Sequence, residues 1–97
     1  MATAVVVQYR TRPGAAEENQ RSIERVFGEL AELHPEGLRY TALRMPDGVG
    51  FVHVAIVEGE TALTDLPAFR EFQAGAADRM AEPPVVTRAA VIGAYHP

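Results

Sequence analysis

His53 is the residue with the clearest chemical capacity in this sequence. It lies in the alternating apolar run Phe51 to Val57, which predicts a β-strand, and it shares one face of that strand with Ala55. Alanine leaves room for a ligand, and an imidazole beside it could take a proton from a phenol near neutral pH, as general-base catalysis requires. The same residue could instead be a core histidine that is hydrogen-bonded to a neighbouring side chain.

Four other polar side chains could contact the same ligand. Tyr9 and Tyr40 lie on predicted strands, and their hydroxyls would bind a ligand, each other or the backbone, since buried tyrosines usually have a partner. Asn19 and Gln73 lie near the inner edges of two helical stripes. Their amides could orient a carbonyl group, or they could lie at the solvated boundary of each stripe.

Two arginines lie on predicted strands and offer a further kind of contact. If Arg44 or Arg88 points inward, its guanidinium would suit an anionic ligand. The alternative is an ion pair at the rim of a dimer, with Glu58 or Glu82 as the partner.

Other kinds of site are excluded by the residue types and their spacing. The sequence has no cysteine, so disulfides, thiolate zinc sites and cysteine nucleophiles are excluded. Its one serine, Ser22, lies in a helical pattern without the G-x-S-x-G context of a serine nucleophile. The three histidines lack metal-binding spacing, and no glycine-rich loop follows a strand, so we expect no metal and no cofactor.

Length and charge limit the size of the fold and its partners. A chain of 97 residues allows one domain, 1–97, and its net charge of −4 argues against a nucleic-acid partner. No apolar run approaches the ~20 residues that a membrane span needs. The start, Met1 to Ala4, lacks the basic region of a signal peptide. We therefore expect a cytoplasmic protein that binds neither nucleic acid nor membrane.

The apolar periodicity predicts four strands and two helices that would position these side chains. A helix with the stripe Ile23, Val26, Phe27, Leu30 and Leu33 begins near Glu17 and ends at His34 to Gly37. The remaining predicted elements are strands at Thr3–Arg12, Leu38–Met45, Phe51–Val57 and Val85–Tyr95, a short helical turn at Thr61–Asp65 and a second helix at Leu66–Met80.

The element order βαββαβ predicts an α+β, ferredoxin-like fold: four antiparallel strands with two helices on one face. The first and third strands are apolar on both faces, whereas a sheet with one face in water should alternate with polar residues. Two helices cover one face, so a second copy of the sheet is the simplest cover for the other. We therefore expect a homodimer that buries Val6, Val52, Val54 and Ile56.

Five short segments, taken in order, indicate a protein family. They are Arg12-Pro13-Gly14, Gly37-Leu38-Arg39-Tyr40, Phe51-Val52-His53-Val54, Leu66-Pro67-Ala68-Phe69-Arg70-Glu71-Phe72 and Pro83-Pro84-Val85. Together they resemble the antibiotic biosynthesis monooxygenase-like proteins of the dimeric α/β-barrel superfamily, over nearly the whole chain.

The resemblance implies two sheets packed face to face, with a pocket in each subunit that the His53 face lines. Some members oxidise aromatic phenols or quinols with O₂ and no cofactor, and close relatives degrade haem. The implied function is a cofactor-independent oxygenase of a small aromatic, quinol or polyketide-like compound, with His53 as the base and Tyr9, Tyr40 or Gln73 orienting the ligand. The alternative is a non-catalytic dimer of the same fold that binds a small molecule or fills its own pocket.

The sequence departs from the family pattern at the residues that carry its chemistry. Haem-degrading relatives have an asparagine on strand one, a tryptophan near the end of strand three and a histidine on the second long helix. This sequence has Val7, Val57 and Gln73 there. Ala55 also stands where many monooxygenase-like members have a glutamate. We therefore expect no haem degradation.

Overall fold

The computed structural model describes residues 3–34, 36–57 and 67–95. Its elements are strand β1 (Thr3–Arg10), a 3-10 turn (Pro13–Ala15), helix α1 (Ala16–Leu33), strands β2 (Leu38–Arg44) and β3 (Gly50–Val57), helix α2 (Pro67–Arg79) and strand β4 (Val85–Ala90). The order is the predicted one, and the helical turn predicted at Thr61–Asp65 lies outside the described residues.

The four strands form one antiparallel sheet in the order β2-β3-β1-β4, so the predicted ferredoxin-like fold is confirmed. Tyr9 lies opposite Phe51, and Val7 lies opposite His53. Side chains of opposed residues share a face, so these four residues lie on one side of the sheet. Tyr9, Phe51 and His53 are buried, which identifies this side as the one that the helices cover.

Helix α1 follows from its charge pattern and its apolar stripe. Glu17 and Glu18 lie in the first turn, at the positive end of the helix dipole, and Val26 of the stripe is 2% exposed. The helix ends at His34, which adopts a left-handed conformation (φ 45°) and donates its backbone N–H to the Leu30 carbonyl. The next residue in the sequence is a proline, which disfavours helical geometry at His34.

Helix α2 contributes the other half of the core. Phe72 and Ala76 are buried, with Phe69 and Met80 partly buried against the same cluster. Their spacing of three or four residues is the predicted stripe; Leu66, which the sequence placed at its start, lies outside the described residues. Neither helix that the structure describes is both long and apolar enough to cross a membrane.

Three strands are shorter than predicted, namely β1, β4 and β2, which ends at Arg44 instead of Met45. Strand β1 stops at Arg10, since the backbone N–H groups of the next two residues, Thr11 and Arg12, donate to the Val49 and Arg79 carbonyls instead of a ladder. Strand β4 ends at Ala90, which pairs with Thr3 of β1.

The sheet face away from the helices is apolar at its centre. Val6, Val52, Val54 and Ile56 are half-buried in a single chain, and Leu43 on the same face is 49% exposed. No described helix or loop covers these side chains. The fold therefore has the second apolar sheet face from which the sequence predicted packing against another copy of the sheet.

Candidate functional site

A continuous line of hydrogen bonds runs through the buried layer between sheet and helices, and we call it the polar chain. Arg79 Nε donates to Asn19 Oδ1 (3.0 Å), and Asn19 Nδ2 donates to the Tyr9 hydroxyl (2.8 Å). The Tyr9 hydroxyl lies 2.8 Å from His53 Nε2, and His53 Nδ1 is hydrogen-bonded to the Tyr40 hydroxyl. Four of the five side chains that the sequence singled out are thus joined in one network.

The strand register explains how three of these side chains meet. His53 on β3 lies opposite Val7 of β1 and opposite Ala42 of β2. Tyr9 and Tyr40 each lie two residues from those partners, so they are diagonal neighbours of His53 on the same face. Tyrosine and histidine side chains are long enough to contact diagonal neighbours, so each ring nitrogen of His53 is hydrogen-bonded to one tyrosine hydroxyl.

The helices supply the other two members through their inner faces. Asn19 lies on α1 at i−4 and i−7 from Ile23 and Val26, and its exposure is 0%. Arg79 lies on α2 at i+3 from Ala76 and is 6% exposed. Both polar residues therefore occupy positions in the apolar stripes of their helices, where the two helices face the sheet.

The hydrogens of the polar chain have one consistent direction. Arginine only donates, so the Asn19 side-chain oxygen must face Arg79, and its NH₂ group must donate to Tyr9. The buried Tyr9 hydroxyl in turn satisfies its own hydrogen by donating to His53 Nε2. A neutral imidazole then carries its proton on Nδ1, which donates to the Tyr40 oxygen. The hydroxyl hydrogen of Tyr40 has no acceptor within the described part of the chain.

Burial holds the polar chain in its neutral form. It lowers the pKa of His53 to about 4, so the ring is neutral near pH 7. Burial also raises the pKa of Tyr9 to about 12, against the opposing effects of the Asn19 hydrogen bond and the Arg79 charge. The pKa of Tyr40 is raised as well, mainly by burial and further by Tyr9. Arg79 is therefore the charged member of the chain.

Aromatic rings surround the His53 end of the polar chain. Phe51 stacks on Tyr9 at 5.6 Å between ring centroids, and Phe72 lies 5.5 Å from the His53 ring. Phe27 meets Tyr40 edge to face at 5.1 Å. Rings at these distances leave little space for water, which strengthens the hydrogen bonds between them.

Tyr40 brings the polar chain to the surface. It lines a cleft of about 410 Å³ between α1 and β2. The other lining residues are mostly apolar: Phe27, Leu30, Ala31, His34 and Leu38. His53 does not line this cleft, because both of its ring nitrogens are engaged and its exposure is 5%. A ligand in the cleft would meet the tyrosine, with the histidine behind it.

The remaining predicted candidates lie apart from the polar chain. Gln73 is exposed on α2, so its amide does not join Asn19. Arg44 pairs with Glu17 of α1 at 2.9 Å, and Arg88 is exposed on β4. Among the residues described, no three acidic or histidine side chains cluster so that they could hold a metal ion.

Arg79 is the member of the polar chain that the sequence reasoning did not select. A signal was present, since Arg79 continues the α2 stripe at seven residues from Phe72. A charged residue at such a position usually extends to solvent. Arg79 stays inside because Asn19 and the Phe72 carbonyl accept its N–H groups, and because its guanidinium lies 5.4 Å from the centre of the Phe72 ring.

No family model matches this sequence, and no curated protein matches it. Solved structures do share its fold. One is a Mycobacterium tuberculosis protein that is 17% identical, with a TM-score of 0.80 over 99% of this chain and 100% of that one. Another is a Nitrosomonas europaea protein provisionally named an antibiotic biosynthesis monooxygenase, 16% identical, with a TM-score of 0.79 over 94% and 90% of the two chains.

A third similar structure is a variant of SnoaB, a cofactor-independent oxygenase from Streptomyces nogalater. It is 17% identical, with a TM-score of 0.71 over 96% of this chain and 95% of that one. At these identities the likeness establishes a common fold over nearly the whole length. The fold is therefore that of solved antibiotic biosynthesis monooxygenase-like proteins, as the sequence resemblance implied, and the site must supply the argument for function.

Proposed function

We propose that this protein is a homodimer that binds a small aromatic compound in the cleft beside Tyr40, through a carbonyl or quinone oxygen of that compound. The direction of the polar chain carries the proposal. It leaves one hydroxyl hydrogen, that of Tyr40, without an acceptor among the described residues. A half-buried donor of this kind needs an acceptor, and a carbonyl oxygen provides one.

The chemistry of Tyr40 favours donation over proton uptake. Its oxygen accepts the Nδ1–H of His53, and a hydroxyl that accepts one hydrogen bond donates the next more strongly. The apolar residues of the cleft, among them Phe27 and Leu30, suit the flat faces of an aromatic ring. The ligand class is therefore flat, aromatic and equipped with an exposed acceptor oxygen.

Loss of the Tyr40 hydroxyl should weaken binding without unfolding the protein. For Tyr40→Phe we expect the affinity for 2-hydroxy-1,4-naphthoquinone to fall by about 5- to 30-fold, the effect of one lost hydrogen bond of ~1–2 kcal/mol. Isothermal titration calorimetry measures the difference. The matched control is Tyr95→Phe, because Tyr95 is 87% exposed and lies outside the cleft. Equal affinities for the two variants would contradict the role of Tyr40.

The homodimer in this proposal follows from the apolar sheet face. Val54 lies at its centre, half-buried in the single chain. A second sheet packed there would bury roughly 800 Å² per partner, the size of an ordinary stable interface. The thin hydrophobic core of a chain this short gains stability from such an association.

A charge at the centre of that face should abolish the dimer. For Val54→Asp we expect a monomer in sedimentation velocity at micromolar concentration, or an unfolded chain, because the carboxylate would be buried without a partner. Gln73→Glu places the same charge on an exposed residue of α2, away from this sheet face, and we expect it to leave the dimer intact. A wild-type protein that sediments as a monomer would contradict the proposed homodimer.

Cofactor-independent oxygenation of the bound compound is a second candidate function. The shared fold of SnoaB favours it, together with a tyrosine–histidine pair at the cleft. In such a reaction the substrate gives a proton to a base, and its carbanion reduces O₂, with the overall balance R₂CH₂ + O₂ → R₂C=O + H₂O. In this protein the base would be His53 Nδ1, reached through Tyr40, with Tyr9 and Asn19 holding the ring. This role requires the ring proton to lie on Nε2 and to be donated to the Tyr9 oxygen, which is the reverse of the direction that favours ligand binding.

The basicity of His53 places this candidate second. Its pKa is about 4, whereas that of a phenol is near 10, so a full proton transfer would cost about 8 kcal/mol. A substrate C–H or O–H of lower pKa would reduce this cost, and the cleft would then support catalysis.

Oxygen consumption separates binding from catalysis. If the protein oxygenates naphthoquinols or anthrones, His53→Ala should lower the protein-dependent rate by ~10²–10⁴-fold, the usual contribution of a general base. An oxygen electrode measures the rate against a protein-free control. No protein-dependent consumption with either compound would leave ligand binding alone as the function.

A further inference from the structure

Arg79 is a buried cation without a carboxylate partner in the described residues. It is 6% exposed, Nε donates to Asn19 Oδ1, and Nη2 donates to the Phe72 carbonyl at 3.3 Å. The ion pair found among the described side chains joins Arg44 to Glu17 and does not involve Arg79. Buried charges in proteins are nearly always paired, since an unpaired one loses its solvation without compensation.

Nη1, the remaining guanidinium nitrogen of Arg79, lies at a second surface cleft. This cleft has a volume of about 460 Å³ and lies between the start of α1 and the last turns of α2. Arg79 lines it together with Gly75, and a Cβ atom on Gly75 would lie 2.5 Å from Arg79 Nη1. Nη1 can therefore occupy this position because residue 75 has no side chain. No described residue accepts a hydrogen bond from this nitrogen.

The opposite wall of the cleft also presents positive charge and N–H donors. Gly14 and Ala15 line it at the start of α1, where Ala15 provides no side-chain cap for the first backbone N–H groups. Arg12 lines the rim and is held there by a hydrogen bond from Nη2 to the Asp78 carbonyl. Arg79 and the uncapped helix start therefore converge on one space.

We propose that this cleft binds the carboxylate group of a small organic acid, with Arg79 Nη1 and Arg12 as its donors. A carboxylate would compensate the Arg79 charge and accept the N–H groups that lack partners. Two acidic side chains, Glu18 and Asp78, also line the cleft. With Arg12 and Arg79 the four charged side chains of the cleft carry no net charge, so a second negative charge on a ligand gains no net attraction and adds to the cost of desolvation. The site therefore favours a carboxylate over phosphate. This site lies at the far end of the polar chain from Tyr40.

An NMR titration of the intact protein tests the site. Sodium acetate is added at constant ionic strength, and we expect saturable shifts of the Gly14 and Gly75 amides and of the Arg79 Nε–H, with a dissociation constant of about 1–10 mM. Inorganic phosphate should bind several-fold more weakly. The absence of saturable shifts would overturn the site, and phosphate binding as tight as acetate binding would overturn its carboxylate preference.

Two variants assign the binding to the cleft. We expect Arg12→Gln and Gly75→Ala each to weaken acetate binding at least fivefold. Arg12 is exposed, and alanine favours a helix over glycine, so both variants should fold. Gly28→Ala is the matched control, because Gly28 is a helical glycine with nothing within 4 Å of an added Cβ. Wild-type affinity in both Arg12→Gln and Gly75→Ala would refute the proposal.

Discussion

Replacement of Asn19 with leucine is expected to lower the free energy of unfolding by about 3–5 kcal/mol. Asn19 is 0% exposed and is bonded to two partners, since it accepts from Arg79 Nε and donates to the Tyr9 hydroxyl. Leucine has a similar volume but offers neither bond. The substitution would leave a buried guanidinium N–H without an acceptor and would remove a donor from Tyr9. Urea unfolding at fixed protein concentration measures the loss.

The control for this prediction is the same change at the other amide that the sequence selected. Gln73 is exposed on α2, so Gln73→Leu should change the stability by no more than about 0.5 kcal/mol. Asn19→Asp is a useful second variant, because its carboxylate still accepts from Arg79 while it loses the donor to Tyr9. Similar small effects in Asn19→Leu and Gln73→Leu would show that the polar chain contributes little to stability.

Strand alternation was enough to predict which side chains share the His53 face. A period of two separates Tyr9 and His53 from the other side chains of their strands, and the family resemblance implied that the His53 face lines the pocket. The sequence could not give the register between strands, which decides that each ring nitrogen of His53 meets one tyrosine. Register depends on turn geometry and on contacts between distant segments, neither of which is visible in a local pattern.

Helical periodicity was less decisive for the polar residues at the edges of the stripes. Asn19 and Gln73 were equivalent by sequence, yet Asn19 is buried and Gln73 is exposed. Asn19 accepts a hydrogen bond from Arg79 inside the protein. Gln73 instead follows Phe72, whose side chain is the one that packs in the core. A buried amide needs a partner on another element, so its burial depends on the tertiary fold.

The polar chain also connects the two clefts. Arg79 lines one of them and Tyr40 the other, and three neutral side chains join them by directed hydrogen bonds. The Arg79 charge favours the ionised form of Tyr9 and so opposes part of the effect of burial on the pKa of that residue. A carboxylate that compensates Arg79 would weaken this opposition and raise the pKa of Tyr9 further. The two ends of the chain are therefore linked electrostatically through Tyr9.

The stability of the protein should fall as the pH is lowered below about 6.5, because His53 must stay neutral in the folded state. Its folded pKa is about 4, and that of an unfolded histidine is near 6.5. Between these values the unfolded chain binds one more proton at this site than the folded chain does. The stabilisation is therefore fully present above pH 6.5 and is lost progressively toward pH 4, for a total of roughly 3 kcal/mol.

Urea unfolding at pH 5.0 and at pH 7.0 measures this dependence, and we expect a difference of about 2 kcal/mol from His53. The matched variant is His53→Gln, whose amide can accept from Tyr9 and donate to Tyr40 but does not titrate. Its stability should change less over the same interval, and the difference between the two proteins isolates His53 from the carboxylates, which ionise mainly at lower pH. Parallel pH profiles for wild type and His53→Gln would mean that burial does not lower the pKa of His53, so that the folded ring is protonated at pH 5.0. The predicted loss of stability from His53 between pH 7.0 and pH 5.0 would then be wrong.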